Sequence, residues 1–427
     1  DVKRADALLD PSFMADFKRV SSLLFNDLFA KMDRDVHFAR LVGKHGPGAV
    51  ADRLSGNAKW NLRTWTTRLE RVLPADEFLI PNLSFKGELC SEVNILEPGA
   101  EVPVKVISVP KTLKTPRIIA VEPAAMQYAQ QSLLRSFTNA LSEDSFLTRV
   151  LGIQDQDPNR VLARKGSLSG DLATLDLSEA SDRVSSQHVR EMLADFPELL
   201  WAVDACRSRK ADVPGKGVIR LAKFASMGSA LCFPFEAMVF LTLIFMGIEQ
   251  ELNTSLSRKL VINRFSGRVR VFGDDLIVPR EHVLSVVDTL TVFGQKVNIS
   301  KSFWTGRFRE SCGREYYDGH DVSIVKVRQV LTTRRQDATG VIAMVELRNQ
   351  LYWAGLWQTT AYLDSLIRRV LKYFPNVAPD SPLLGRESAL GYEFQRLHPN
   401  YHSPLTKGYY VVSKSPPSKL DGSGALL

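Results

Sequence analysis

The stretch Val271-Phe272-Gly273-Asp274-Asp275-Leu276-Ile277-Val278 consists of two short apolar runs around a Gly-Asp-Asp centre. The runs have strand lengths and strand residues, and the centre has turn chemistry, so the stretch predicts a β-hairpin. Two adjacent carboxylates then stand at an exposed tip on rigid strands. Hard cations such as Mg2+ take oxygen ligands, and such a tip offers them. Alone, Gly-Asp-Asp is most simply a solvated turn. A second acid upstream changes that balance. Leu172-Ala173-Thr174-Leu175-Asp176-Leu177 reads as a buried strand ending in an acid. A carboxylate in an apolar strand is costly to bury unless it is paired or bound to metal. Ser178 to Asp182 then reads as a turn into a helix containing Val189, Met192 and Leu193. Helix capping suits Asp182 better than Asp176.

The chain has 427 residues, which predicts two or three subdomains rather than one core. Hydrophobic residues make up 44% and charged residues 24%, the composition of a soluble globular protein. The formal charge of +8 favours a polyanionic partner, nucleic acid above all. None of Cys90, Cys206, Cys232 and Cys312 lies in a C-x-x-C pair, which argues against a zinc site or a disulfide framework and fits a reducing compartment. The start of the chain does not read as a signal peptide. Ala230 to Ile248 is the most apolar stretch, but it contains Pro234 and Glu236 and is barely long enough for a bilayer. It predicts a buried helix, and no membrane partner is expected. The first residue is Asp1 with no initiator Met, which leads us to expect a processed or trimmed form.

Residues 10 to 33 predict an amphipathic helix, with Asp10 as N-cap, Pro11 in the first turn and Phe13, Phe17, Val20, Leu24 and Leu28 at helical spacing. Val102 to Val121 predicts a strand-loop-strand element whose loop carries Lys111, Lys114 and Arg117. Such a loop can receive a triphosphate, with Arg117 offering a planar fork and the lysines acting as point charges. Further cations at Arg160, Arg164 and Lys165, and at Arg207, Arg209, Lys210, Lys216, Arg220 and Lys223, are candidates to line a nucleic-acid channel. Ala225-Ser226-Met227-Gly228-Ser229 is a small-residue loop that lets backbone approach a ligand closely. Helices are predicted for 283–293 and 341–372, the latter with Trp353 and Trp357 on one face. Ser323 to Leu331 reads as a strand and 401–427 as a flexible tail.

On adjacent strands of one antiparallel sheet, Asp176, Asp274 and Asp275 would form a site for two cations about 3.5–4 Å apart, the arrangement used for in-line phosphoryl displacement. The cationic loop would face a triphosphate, and a lysine after the hairpin would protonate the leaving group. These are the parts of a template-directed nucleotide polymerase.

The motifs resemble those of the RNA-directed RNA polymerases of single-stranded RNA bacteriophages, the levivirus replicase β subunits. Gly170 to Asp182 resembles their first palm motif. Ser226-Met227-Gly228 with Phe233-Pro234-Phe235-Glu236 resembles the second, and Phe272-Gly273-Asp274-Asp275 the third. Asn298 to Phe303 and Phe308 to Tyr317 resemble the segments that follow. Pro110 to Arg117 with Ala120 to Pro123 resembles the fingers motif. The segments occur in family order and cover about 110 to 330.

The resemblance implies an α+β right-hand polymerase fold with fingers, a palm with an antiparallel sheet, and a helical thumb. The expected bounds are 1–165 for the fingers and N-terminal region, 166–310 for the palm with an inserted fingers segment at about 205–225, and 311–400 for the thumb. It implies that Asp176, Asp274 and Asp275 bind two Mg2+ ions, for which Mn2+ can substitute, with Asp176 and Asp274 the main ligands. It implies Lys111, Lys114 and Arg117 at the incoming nucleotide, with Asp182, Ser226 and Gly228 near it. Lys301 is the general-acid candidate, ahead of Lys296. Template and product RNA and nucleoside triphosphates are the implied partners. The family also implies a host ribosomal protein and translation elongation factors, in the cytoplasm of a bacterial host, for replication of a phage RNA genome. The second motif departs from the wider viral pattern, which places Thr and then Asn at the positions of Cys232 and Glu236. Phage replicases often have Asn where this chain has Ser229. The rival readings are a reverse transcriptase and a non-catalytic RNA-binding relative. The small polar run Ser178 to Asp182 favours ribonucleotides over the former, and three intact carboxylates argue against the latter.

Overall fold

The structure is a computed structural model that describes residues 1–79, 92–110, 113 and 115–413. The chain divides into two compact units. One comprises Asp1–Ile107 with Ile118–Ser323, the other Ser108–Arg117 with Ile324–Pro416. The architecture is α+β, as expected, with helices and small, mostly antiparallel sheets.

After a short helix, Val2–Leu8, the first unit has a long helix, α1 (Pro11–His37), capped where the Asp10 carboxylate accepts the Ser12 N–H at 2.8 Å. Its apolar stripe buries Phe17, Val20, Leu24 and Leu28, while Phe13, on the same face in the first turn, stays exposed. Two strands follow, β1 (Val104–Val109) and β2 (Arg117–Val121), then helices α2 (Ala124–Glu143) and α3 (Asp157–Ser169). Strand β3 (Leu172–Asp176) precedes the hairpin β4 (Lys210–Val213) and β5 (Gly217–Arg220). The apolar helix α4 (Cys232–Leu252) leads to β6 (Arg270–Phe272), β7 (Asp275–Pro279) and helix α5 (Val283–Val292). Strands β8 (Phe308–Ser311), β9 (Arg314–Tyr317) and β10 (His320–Asp321) close the unit.

These strands form sheets in the orders β3-β7-β6, β2-β1-β4-β5 and β8-β9-β10, beside a short parallel pair, Thr64–Thr66 with Asn94–Leu96. Helix α4 is long and apolar enough to cross a membrane, but 89% of that apolar window is buried inside the protein. It packs on α1 and α5. Gly247 permits the close approach of α5, since a Cβ there would fall 2.7 Å from the Val286 Cα. A helix apolar on every face belongs in a core, and α4 is the centre of this one.

In the second unit, the expected helix over 341–372 is two helices, α6 (Ala338–Trp353) and α7 (Trp357–Val370). Gly355, at φ +77°, takes the left-handed conformation that ends α6, so Trp353 and Trp357 do not share one continuous helix face. The strand expected over Ser323 to Leu331 does not form: Ile324, Val327 and Val330 are exposed, and a strand needs a pairing partner to satisfy its backbone. Within the stretch expected as a tail, Pro404–Leu405 pairs with Arg396–Leu397 and Tyr409–Tyr410 with Leu383–Leu384. Residues 414–427 lie outside the described residues.

Candidate active site

The Gly-Asp-Asp stretch folds as the predicted hairpin, and the two acids occupy different places in it. Phe272 pairs with Asp275, so Gly273 and Asp274 alone form the turn. Gly273 has φ +57°, and a Cβ there would fall 2.4 Å from the Phe233 ring. Asp274 therefore stands exposed at the tip, while Asp275 already belongs to β7.

Strand β7 pairs along its length with β3, and the register sets Asp176 directly opposite Asp275. Opposed residues of antiparallel strands share a face, where like charges repel. The frame beneath is rigid: Leu175, Leu276, Ile277 and Val278 are buried. Residues 296–303 run beside β3, with bridges Leu177↔Val297 and Thr174↔Phe303. From this segment Asn298 donates its side-chain N–H to the Asp176 carboxylate at 2.9 Å, and the Asp176 backbone N–H donates to the Ser302 hydroxyl at 3.1 Å. Asp275 is held from another side. The two-residue turn of the β8–β9 hairpin has Cys312 at φ +49° and Gly313 at φ +72°. It aims the Cys312 N–H at the Asp275 carboxylate, 3.1 Å away.

Electrostatics bind a fourth acid to the group. Burial pushes the Asp275 carboxyl up to about 6, against the Cys312 N–H and aided by the charges of Asp274 and Asp176. Burial pushes Glu236 up to about 8, and the charges of Asp274 and Asp182 add to this. Glu236 lies one turn along α4 from Phe233, the ring beneath Gly273, and its nearest bonded partner is the Cys232 thiol at 3.7 Å. The sequence reading placed Glu236 in a motif without giving it a role. Its only signal was an acid inside an otherwise apolar helix.

The donor set fits a divalent cation. Its atoms are carboxylate oxygens, and burial, with their mutual repulsion added, raises two of the acids. Among the described residues, no three His, Cys, Asp or Glu side chains converge closely enough to enclose an ion. An ion shared by all three aspartates would require their carboxylates to draw closer than they are here.

The family of RNA replicase beta-chains has a sequence model that matches residues 98–376. This chain belongs to that family. The RNA-directed RNA polymerase subunit beta of Qbeta virus (strain MX1) is 31% identical over 291 residues, 65% of this chain and 44% of that protein. The corresponding subunit of Enterobacteria phage SP is 30% identical over 376 residues, covering 82% of this chain and 59% of that one. The beta chain of Escherichia phage MS2 is 34% identical over 219 residues, 51% and 36% of the two chains. The chain thus spans about half the length of the curated relatives it matches. Among solved structures, the BmCPV RNA-dependent RNA polymerase at elongation state overlaps 83% of this chain and 33% of its own, with a TM-score of 0.47 and 10% identity.

The other family-motif residues fall as follows. Asp182 is exposed and forms an ion pair with Lys223. Ser226 is buried in the loop before α4, and Gly228 has φ +131°. A Cβ at Gly228 would fall 2.0 Å from the Ala120 carbonyl oxygen, so β2 and this loop meet backbone to backbone. Lys301 ends a short 3-10 turn, Ile299–Lys301, in the segment that holds Asp176; Lys296 lies just ahead of it, and both are exposed. Arg117 is exposed at the start of β2, while Lys111 and Lys114 lie outside the described residues.

Several of the cations that are candidates to line a channel make bonds within the fold, and Arg207 is buried by them. The Arg207 guanidinium is buried and donates to the carbonyls of Leu221, Lys223 and Phe224. Arg209 pairs with Asp204, and Arg164 donates to the Gly319 carbonyl at 2.8 Å. Lys216 and Arg220, on the β4–β5 hairpin, remain exposed.

Proposed function

We propose that this chain synthesises RNA on an RNA template and replicates a phage RNA genome. The observation that carries the reading is the register that places Asp176 opposite Asp275 with Asp274 at the adjoining tip. Asp176, Asp274 and Asp275 would hold two Mg2+ ions, which when bound supply charge neutralisation at the attacking 3′-hydroxyl and at the leaving pyrophosphate. Asp176 and Asp274 are the main ligands. Asp275, whose carboxylate already accepts from Cys312, supports them. Arg117, with Lys111 and Lys114, receives the triphosphate. Asp182, Ser226 and Gly228 bound the nucleotide, and Lys301 donates the proton to the departing pyrophosphate.

In this reading, residues 1–165 belong to the fingers, 166–310 to the palm and 311–400 to the thumb. Template and product RNA are the partners, joined by a host ribosomal protein and translation elongation factors in the bacterial cytoplasm. The test is ribonucleotide incorporation on a primed RNA template, with and without Mg2+ or Mn2+. Asp274→Ala is expected to lower the rate by at least about a thousandfold, since lost ion stabilisation is worth several kcal/mol. Equal rates in variant and parent would sink the assignment. Incorporation of deoxynucleotides as well as ribonucleotides would favour a reverse transcriptase. RNA binding without incorporation, unrescued by host extract, would favour a binding protein.

A further inference from the structure

Asp182 and the Ser226 loop approach the site from different segments, yet both are tied to one buried polar network with Glu122 at its centre. Glu122 follows β2 and is almost wholly buried. The Ser208 hydroxyl donates to its carboxylate, and the Gln130 side chain bonds to it as well. Gln130 sits on the buried face of α2 and is fully used. Its carbonyl oxygen accepts from the Ser229 hydroxyl at 3.0 Å and the Ala230 N–H at 3.1 Å, and its N–H donates to the Cys206 carbonyl at 2.9 Å.

The other branch runs through cations. Arg207 is the neighbour of Ser208, and its guanidinium holds the Lys223 carbonyl at 2.7 Å. The Lys223 ammonium pairs with Asp182. A cavity of about 10 Å³, room for one water, lies between Glu122, Gln130, Arg207, Ser208 and Ser229.

The loop needs such ties. Residues 225–231 form no ladder of their own beyond a Met227↔Ser229 bridge. A third tie is the Ala120 N–H donating to the Met227 carbonyl at 2.8 Å. A buried amide is stable only when its hydrogen bonds are made, so Gln130 and the loop fix each other.

We propose that Glu122 and Gln130 are positioning residues that hold the Ser226–Ser229 loop and, through Lys223, Asp182 in the arrangement that reads the sugar of the incoming nucleotide. The inference rests on the polymerase reading above. Burial holds the Glu122 carboxyl up at about 7, opposed by Ser208, Gln130 and the charges of Lys223 and Arg207. The buried Cys206 thiol also faces it. The network is thus built around a carboxyl that is about half protonated at neutral pH and loses its remaining proton as the pH rises further.

The test is single-nucleotide addition by the full chain, comparing kcat/KM for a ribonucleotide with that for the matching deoxynucleotide. Gln130→Met keeps the volume and removes the amide. It is expected to lower the ratio about tenfold, by raising KM for the ribonucleotide with little change in kcat, and to speed amide exchange in residues 225–231. In the parent, the ratio is expected to fall as the pH rises through about 7, where Glu122 ionises, whereas in Glu122→Gln it stays flat. The ratio cancels pH effects common to both nucleotides. Should Gln130→Met fail to fold, the pH comparison decides alone. A parent ratio indifferent to pH, or one that Glu122→Gln reproduces, overturns the inference, as does a Gln130→Met chain with unchanged ratio and exchange. A parent chain that incorporates nothing overturns the polymerase reading and this inference with it.

Discussion

Two sheets of the first unit bear opposite charges and are built to different depths. The β3-β7-β6 sheet carries acids at one end, and its strands are buried: Ala173, Val271, Ile277 and Val278 have no exposed surface. The β2-β1-β4-β5 sheet carries cations over a core of three fully buried residues, Val104, Ala120 and Ala211. Its edge strand β5 is exposed at all four positions. The difference suits what each charge would do in the proposed polymerase. Carboxylates set against one another repel, so only a stiff frame keeps them together long enough to meet a cation. Cations that meet a phosphate backbone act through long flexible side chains and counterion release, and tolerate a shallow support.

The largest expected effect probes the burial of charge in the acid-bearing region, to which repulsion adds. Glu236 is held at about 8 from an ordinary 4.5. A carboxyl raised in the folded state keeps a proton that the unfolded chain has lost. Its burden is therefore absent below pH 4.5, grows between 4.5 and 8, and is complete above 8. Glu236→Gln is expected to match the parent in urea unfolding at about pH 4.5 and to exceed it by on the order of 4 kcal/mol at about pH 9. Mg2+ is expected to narrow that gap, because it favours the ionised acids. A gap independent of pH would show that ionising Glu236 in its buried place carries no burden.

A second measurement compares the frames. Ile277→Ala in β7 is expected to cost about 3 kcal/mol in urea unfolding, the usual range for a buried aliphatic side chain. Ile219→Ala in β5, where the side chain is 43% exposed, is expected to stay within about 0.5 kcal/mol of the parent. Equal costs would mean that the cationic sheet is as deeply built as the acidic one.

The acid-bearing sheet was readable from the sequence because its information is local. Turn residues between apolar runs marked the hairpin, and one acid ending an apolar strand marked β3. The buried cation was not legible because a list of Lys and Arg does not distinguish Arg207, bonded to three carbonyls, from Arg220 in the open. The break between α6 and α7 rests on one glycine inside a helical pattern, which periodicity overrides. The Glu122–Gln130–Ser229 network joins residues up to about a hundred positions apart, and each looks ordinary in its own segment. Local pattern finds the groups that do chemistry; the groups that hold them in place are a property of tertiary packing.

The smallest expected effect separates the exposed cations of β4–β5 from the structural ones beside them. Lys216 and Arg220 are exposed and stand on the β4–β5 hairpin. If they contact RNA phosphates, each releases about one counterion on binding, and the slope of log affinity against log salt falls by about one for each residue replaced. Lys216→Ala and Arg220→Ala are therefore expected to weaken RNA binding a few-fold, equally for unrelated sequences, without changing urea unfolding. Arg207→Ala is the contrast. It removes donors from the Leu221, Lys223 and Phe224 carbonyls, so it is expected to lower stability by about 1–3 kcal/mol. Its salt slope is expected to stay that of the parent. A slope lowered by Arg207→Ala but not by Arg220→Ala would reverse the division between cations that meet RNA and cations that build the fold.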